Sequence, residues 1–278
     1  MIRKIILWSI SIFITALVAY YQRVTGPTYP VSGTTIIAGK IIPYKFERSH
    51  DISSNAVVTI FTGDTMIRGR LEWKRFKTDD EWTCIEMKYS NDTLKAELPV
   101  QPPAGKLQYR VFLNSSEATV QIPAIDSVII RFKGVVPIGI LLFHIIVTFG
   151  AMLLSTRTGL EFFNPEPNIR LLTYCTIGFL FIGGAILGPL VQYYAFGVFW
   201  SGWPVGTDLT DNKMMIALVG WIVVGALLPR LQKPKTWALG AAILLIIVYL
   251  IPHSLLGSEL NYAALNKPNP KVDSTLIP

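Results

Sequence analysis

The sequence predicts a multi-pass α-helical membrane protein of about five transmembrane helices, with an inserted all-β sandwich domain outside the membrane. The first observation is that only 15% of the 278 residues are charged, whereas an ordinary soluble protein has about 25%. The second is that charges are concentrated between residues 23 and 133 and nearly absent from long apolar windows elsewhere. The third is that residues 32–133 contain short alternating runs separated by turn residues, a pattern typical of β-strands.

The helical part of the prediction depends on apolar windows. A spanning helix needs about 20 mostly apolar residues. Five windows approach this length, and the last two are somewhat short: 5–21, 135–154, 171–200, 214–228 and 237–252. The third window contains Gly184 and Gly188 at the spacing that permits close helix contact. Pro189 follows them, and we expect it to kink this long helix.

The first window is preceded by Arg3 and Lys4, as in secretory signal sequences. Its length, and the lack of a small-x-small cleavage site after it, favour an uncleaved signal anchor. A cleaved signal peptide is the alternative.

Basic residues then predict the orientation of the chain, because they accumulate in cytoplasmic loops. The N-terminus and the loops at 155–170 and 229–235 each contain at least two Lys or Arg residues, which makes them cytoplasmic. We therefore expect a multi-pass protein of the cell membrane, which is the inner membrane in a bacterial host, with residues 23–134 and the C-terminus extracytoplasmic. The predicted organisation is a signal anchor (1–22), a β-sandwich (23–134), a four-helix transmembrane bundle (135–253) and an irregular tail (254–278).

Seven or so short strands predict that the β domain is a sandwich. Alternation in "KLQYRVFL" places one set of side chains on a common face: Leu107, Tyr109, Val111 and Leu113. The stretch "LEWKRFKTDDEW" is interpreted as a two-faced strand pair with a charged turn. A glycan or partner surface using Trp73, Phe76 and Trp82 is the alternative.

The segment "LKAELPVQPPAGKLQYRVFL", residues 94–113, resembles a strand–turn–strand segment of fibronectin type III or immunoglobulin-like domains in extracellular bacterial proteins. In those domains a proline-rich turn precedes a tyrosine-bearing strand. The resemblance implies the fold of the β domain and no activity, since such domains have many functions.

The polar stretch "FWSGWPVGTDLTDNK", residues 199–213, lies between the third and fourth windows. A structural interpretation makes Thr207 or Asp208 the N-cap of the fourth helix. The carboxylate of Asp211 then lies near the positive end of the helix dipole, where a negative charge is favourable. Pro204 and Gly206 make the preceding turn.

A functional interpretation of the same stretch stays open. Asp208, Asp211 and Asn212 offer oxygen ligands to a cation, or hydrogen bonds to a ligand framed by Trp200 and Trp203. With Thr207, these residues form the candidate ligand-binding set. Two carboxylates are too few for calcium, which takes 6–8 oxygens, so no metal site is predicted.

His144 is the second candidate, because an ionisable residue inside a membrane span is a functional candidate by default. It has the chemistry to bind haem, relay protons or hydrogen-bond across helices. A bis-histidine haem with His253 is disfavoured, since His144 lies about 15 Å deeper at helical rise. No cofactor is predicted. Cys84 and Cys175 show no metal-ligand spacing, and we expect both thiols to be buried and inert.

These observations favour a binding or assembly subunit over an enzyme. Its β-sandwich and Trp/Asp loop would form one recognition surface for a protein, glycan or small ligand. The expected partners are the lipid bilayer and another membrane or periplasmic protein. Nucleic acid is excluded, because acids nearly balance the basic residues of 23–133. The alternative function is redox chemistry or proton-coupled transport through His144, and a weaker one is hydrolysis by Asp208 and Asp211.

Overall fold

The computed structural model describes residues 2–252 and 259–265. These residues divide into two compact units. Residues 2–29 and 133–252 form the helical unit, and residues 30–132 and 259–265 form the β unit. The predicted signal anchor, bundle and tail boundaries stay predictions. Tail residues 254–258 and 266–278 lie outside the described part of the chain.

The helical unit contains five long helical stretches. Their bounds are α1 Ile2–Thr25, α2 Ile138–Gly159 with a 3₁₀ extension Leu160–Phe163, α3 Ile169–Leu180 continuing through a π-helical segment Phe181–Leu187 into α4 Gly188–Phe196, α5 Leu209–Leu227 and α6 Pro234–Leu250. Four stretches in the described residues are long and apolar enough to cross a membrane: Ile2–Thr25, Ile138–Phe163, Ile169–Phe196 and Leu209–Leu227. The fifth, α6, is apolar but has only 17 residues.

The irregularity predicted at Pro189 takes the form of a π-helical segment rather than a simple break. Pro189 lies in the first turn of α4, directly after Phe181–Leu187. A proline has no N–H to continue the α-helical ladder. The hydrogen-bond register changes in the π segment, so the helical stretch continues past Pro189 without the missing N–H.

Side chains from two helices satisfy the last carbonyl groups of α6. Gln22 at the end of α1 donates to the carbonyl of Tyr249 (2.6 Å), and Lys213 near the start of α5 donates to that of Ile251 (2.6 Å). Helix C-termini leave such carbonyls without intrahelical partners, and a cation is favourable there. The end of α1, the start of α5 and the end of α6 therefore lie at the same end of the unit.

Two further contacts show that the helices alternate in direction. The N–H of Gly134, just before α2, donates to the carbonyl of Ala195 near the end of α4 (2.8 Å). At the other end of the unit, Lys235 at the start of α6 donates to the carbonyl of Asn164 after α2 (2.5 Å). We call the end carrying Gly134 and Ala195 the loop end, because the loop between α4 and α5 lies there.

The β unit contains antiparallel strands in three sheets. The strands are β1 Val31–Ile37, β2 Lys40–Phe46, β3 Ser49–Asp51, β4 Ala56–Phe61, β5 Arg68–Arg75, β6 Thr83–Glu86, β7 Lys88–Ser90, β8 Thr93–Leu98, β9 Lys106–Asn114, β10 Thr119–Ile122 and β11 Val128–Lys133, whose last residue marks the passage to the helical unit. The orders are β1-β2, β4-β8-β7 and β3-β11-β9-β5-β6, with β10 also paired to β9. The alternating pattern predicted seven or so strands, fewer than the eleven in the described residues. The three-residue strands β3 and β7 account for part of the difference, and the seven-residue strands β1 and β2 were also missed.

One hydrophobic core joins the three sheets. Phe46 of β2, Val58 of β4 and Leu98 of β8 pack in the same cluster as the inward face of β9. The predicted face of β9 is confirmed, since Leu107, Tyr109, Val111 and Leu113 are all buried. The Tyr109 hydroxyl donates to the carbonyl of Glu47 (3.0 Å), so its polar end is satisfied inside the core.

The expectation that both cysteines are buried is wrong. Cys84 lies on β6 and is exposed, while Cys175 on α3 is only partly buried. Strand β6 is at the edge of its sheet, and side chains of an edge strand have neighbours on fewer sides than those of a central one.

Two adjacent valines of β4 test the position of this core. Val58 is 5% exposed and Val57 is 56% exposed. We expect Val58→Ala to lower the free energy of unfolding of the β unit by about 2 kcal/mol, because it removes buried methyl groups and leaves a cavity. Val57→Ala should change it by less than about 0.5 kcal/mol. The urea dependence of protease cleavage within the β unit, in the detergent-purified chain, measures both values. Equal effects would contradict the assigned core.

Candidate functional site

The loop between α4 and α5 brings most of the candidate residues together. Helix α4 ends at Gly197, whose φ of 79° lies in the left-handed region that glycine adopts readily. The chain then forms compact turns, in which the N–H groups of Val205 and Gly206 both donate to the carbonyl of Gly202 (3.0 and 2.8 Å). We call residues 197–213 the Trp/Asp loop.

Asp211 holds the backbone of this loop from the first turn of α5. Its Oδ2 accepts hydrogen bonds from the N–H of Ser201 (2.8 Å), the N–H of Gly202 (3.0 Å) and the hydroxyl of Ser201 (3.2 Å). The Asp211 side chain is largely buried. A carboxylate that accepts two backbone amides fixes the path of the chain at those residues.

Asp208 is the N-cap of α5, as one of the two predicted alternatives proposed. Its Oδ1 accepts the N–H of Thr210 (2.8 Å), which satisfies a free amide of the first turn. Its Oδ2 lies 3.1 Å from the hydroxyl oxygen of Ser201, whose single hydrogen is shared between Asp208 and Asp211. Thr207, the other N-cap candidate, is exposed beside it.

Asn212 and Trp200 fix the remaining turn. The side-chain oxygen of Asn212 accepts the N–H of Trp203 (2.6 Å), and Nε1 of Trp200 donates to the carbonyl of Trp203 (3.1 Å). Gly202 fits closely between them: a Cβ there would lie 2.7 Å from Cβ of Asp211 and 2.8 Å from Oδ1 of Asn212. A side chain at Gly202 would therefore force the loop to move.

The large apolar side chains of the loop are exposed, unlike its buried carboxylates. Phe199, Trp203 and Val205 are 55%, 67% and 76% exposed. The ring of Phe199 stacks on Tyr193 of α4, with ring centroids 4.4 Å apart. The loop therefore directs its carboxylates inward onto its own backbone and presents an apolar tip, which we call the aromatic tip (Phe199, Trp203 and Val205).

The hydrogen bonds of Asp211 affect two alternative functions of the loop, cation binding and hydrolysis. To bind a cation or a reacting water, Oδ2 of Asp211 would have to lose the donors from Ser201 and Gly202. Within the described residues, no group of three or more His, Cys, Asp and Glu side chains is gathered as a metal site. The hydrogen bonds of Asp208, Asp211 and Asn212 give these residues a structural role in the loop. Their predicted ligand-binding role stays a prediction.

His144 lies apart from the loop, on α2. It is partly buried, and its Nδ1 is 3.5 Å from the hydroxyl of Thr148, one turn along the same helix. A Cβ on Gly188 would lie 3.9 Å from the His144 ring, so the imidazole faces the start of α4. His253 falls outside the described residues, and the predictions about haem and proton transfer through His144 stay predictions.

A buried ion pair at the opposite end of the helical unit escaped the sequence analysis. Arg157 contacts Glu161 one turn later, with side chains only 4% and 1% exposed. Oε2 of Glu161 also accepts the side-chain N–H of Asn164 (2.9 Å) and the backbone N–H of Asn168 (2.8 Å). The signal was the i,i+4 spacing of opposite charges after an apolar run.

Buried hydroxyl groups also occur on α2, just before this ion pair, and on α3. Ser155, Thr156 and Thr173 are buried, and their hydroxyls have no hydrogen-bond partner among the described residues. The guanidinium of Arg157 lies 5.5 Å from the centre of the Trp8 ring on α1. Breaking a buried ion pair of this kind by removing one partner is costly, which indicates that the pair fixes how α1, α2 and α3 meet.

Comparison of this chain with protein-family models, with curated proteins and with solved structures finds no match.

The scaffold role of Asp211 has a direct test. We expect Asp211→Ala to destabilise the Trp/Asp loop by about 3 kcal/mol, because three hydrogen bonds to a charged acceptor are lost. Hydrogen exchange of the Ser201 and Gly202 amides in detergent should become faster. Gly202→Ala should have the same effect through steric conflict, and Thr207→Ala is the control that leaves exchange unchanged. Unchanged exchange in Asp211→Ala would contradict the scaffold role.

Proposed function

We propose that this chain is an integral membrane binding or assembly subunit whose aromatic tip docks against a partner protein at the membrane surface. The observation that carries the proposal is the division of side chains in the Trp/Asp loop. Asp208, Asp211 and Asn212 are directed onto the loop backbone, while the aromatic tip is exposed. The residues that fix the loop therefore differ from the residues that would make contact.

The rigidity of the loop favours a protein partner over lipid. Tryptophan side chains at a membrane boundary partition into lipid headgroups without needing a fixed backbone. Here the backbone of residues 201–203 accepts or donates several hydrogen bonds that position Trp203. Pre-organised aromatic side chains of this kind dominate the energetics of protein interfaces.

The proposed topology has the Trp/Asp loop, the β unit and the C-terminal segment on the extracytoplasmic side, with the N-terminus cytoplasmic. Two observations support it. The end of α1 and the start of α2, which connect to the β unit, lie at the loop end of the helical unit. Residues 259–265 belong to the same compact unit as residues 30–132, as expected when an even number of crossings separates them. The basic residues Arg230 and Lys233 would then face the cytoplasm.

We also propose that the β unit is a sandwich of the immunoglobulin or fibronectin type III kind. The support is its single core shared by separate antiparallel sheets. Strands β8 and β9, which flank the proline-rich turn, belong to different sheets. A crossing of this kind between consecutive strands is common in sandwiches.

Site-specific photo-crosslinking in native membranes tests the docking role. A photoreactive residue at Trp203 should give a protein adduct, whereas one at Val219, exposed on α5, should give lipid adducts only. Adding Asp211→Ala should reduce the protein adduct about tenfold, because the tip is no longer held in place. Trp203→Ala should weaken co-purification of the captured protein by about 2 kcal/mol, a typical loss for a central interface residue.

Two outcomes would count against this role. Lipid adducts alone at position 203 would make the tip a membrane anchor. A protein adduct that is unchanged in the Asp211→Ala variant would show that the contact does not depend on the geometry of the loop.

A further inference from the structure

The β unit contains a polar pocket that the sequence analysis did not anticipate. Its volume is about 620 Å³, and it lies between the end of β5 with its following turn (75–80), the start of β9 and residues 259–263. We call residues 259–265 the tail segment. This pocket is built within the β unit and is independent of the Trp/Asp loop.

A carboxylate of the tail segment forms ion pairs with two lysines of the pocket. Oε1 of Glu259 lies 2.6 Å from Nζ of Lys106, and Oε2 lies 2.7 Å from Nζ of Lys77. The Lys106 side chain is only 10% exposed. Burial lowers the pKa of Lys106 from its ordinary value, while its hydrogen bond to Glu259 opposes that shift. A half-desolvated ammonium of this kind is favourable only when an anion accompanies it.

Tyr262 makes a second specific contact. Its hydroxyl accepts the backbone N–H of Lys106 (2.9 Å) and lies 3.1 Å from Oε1 of Gln101, to which it can donate. Its ring lies against the guanidinium of Arg75, 5.1 Å from the ring centre. The backbone also takes part, since the N–H of Leu260 donates to the carbonyl of Ala104 (3.2 Å). The tail segment is therefore held by a charged side chain, a tyrosine hydroxyl and a main-chain hydrogen bond.

The tail segment is an addition to the β unit rather than part of its core. The core cluster consists of residues from Ile37 to Phe132 and includes none of the described residues 259–265. The receiving groups Lys77, Lys106 and Arg75 belong to β5, its turn and β9. The groups that contact Glu259 and the Tyr262 ring therefore come from β5, its following turn and β9, and the tail segment itself forms another wall of the pocket.

One of the ion pairs that hold the segment is open to solvent. Ion pairs as open as the one between Lys77 and Glu259 contribute about 0–1 kcal/mol each. Glu259 retains a pKa below its ordinary value: burial raises it, and hydrogen bonds from Lys106 and Lys77 lower it by more. The carboxylate is thus charged at neutral pH, and a charged peptide of the same pattern can replace it.

We propose that the basic surface formed by Arg75, Lys77 and Lys106 is a binding site for acidic peptide segments of the pattern Glu-x-x-Tyr, which the chain's own tail segment covers until a partner segment displaces it. The tether supplies the tail segment at an effective concentration of about 1 mM. A partner peptide binds only when its concentration and affinity are high enough to displace the tail segment, or when the tail segment is removed. The inference does not require the docking role of the aromatic tip.

The test uses the full-length chain in detergent and a fluorescently labelled peptide of sequence ELNYAAL. A vacated variant carries Glu259→Ala and Tyr262→Ala. It should bind the peptide about tenfold or more tightly than the wild-type chain, because the tethered competitor is gone. The matched peptide QLNYAAL should bind the vacated variant about tenfold more weakly, because it removes the charge that Lys106 and Lys77 require. Adding Lys77→Gln, an exposed change, should weaken ELNYAAL binding by about threefold, because an ion pair this open contributes about 0–1 kcal/mol.

Any of three results would overturn the proposal: no peptide binding to the vacated variant, equal binding to the wild-type chain, or equal binding of the glutamate and glutamine peptides. A second measurement does not depend on the folding of the vacated variant. Lys77→Gln in the otherwise unchanged chain should speed hydrogen exchange at the Leu260 amide. Exchange at the wild-type rate would show that the carboxylate contact does not hold the segment.

Discussion

Unsatisfied backbone groups at helix ends are the constraint on which the rest of the structure depends. Inside an apolar helix every N–H and C=O is paired, so polar side chains are needed only where the helices end. Asp208 and Asp211 accept amides at the start of α5 and in the preceding loop. Lys213 and Gln22 donate to the last carbonyls of α6. These contacts join helix ends that are distant in sequence and fix the alternating direction of the helices.

The same constraint separates scaffold from surface. Once the loop carboxylates are hydrogen-bonded to their own backbone, the large side chains that remain exposed in the loop are apolar: Phe199, Trp203 and Val205. The proposed function therefore relies on contact rather than on acid–base chemistry. The pocket of the β unit has the opposite character, because its receiving groups are cations. The two proposed surfaces would select partners by different physical means, one by burial of aromatic area and the other by charge.

The sequence predicts those features that local patterns determine. The apolar windows locate the helices, and alternation locates the buried face of β9. Cap chemistry limits the N-cap of α5 to Thr207 or Asp208, and the structure assigns it to Asp208. Features formed by distant residues were not predictable. Arg157 and Glu161 are adjacent on one helix, but their burial depends on α3 and on Trp8. Glu259 contacts Lys106 although four helical stretches separate the two residues in the sequence. No local pattern specifies that contact. The exposure of Cys84 follows from its place on an edge strand, which a strand pattern alone does not reveal.

Sidedness is the most direct test of the account, and the exposed Cys84 makes it accessible. A membrane-impermeant thiol reagent should label Cys84 in intact cells. In a Cys84→Ser and Cys175→Ala background, the reagent should label Thr207→Cys in intact cells and Gln232→Cys only after the cells are opened. Labelling of Gln232→Cys with protection of Thr207→Cys would contradict the orientation. Opposite outcomes at Cys84 and Thr207→Cys would contradict the shared compartment of the β unit and the loop.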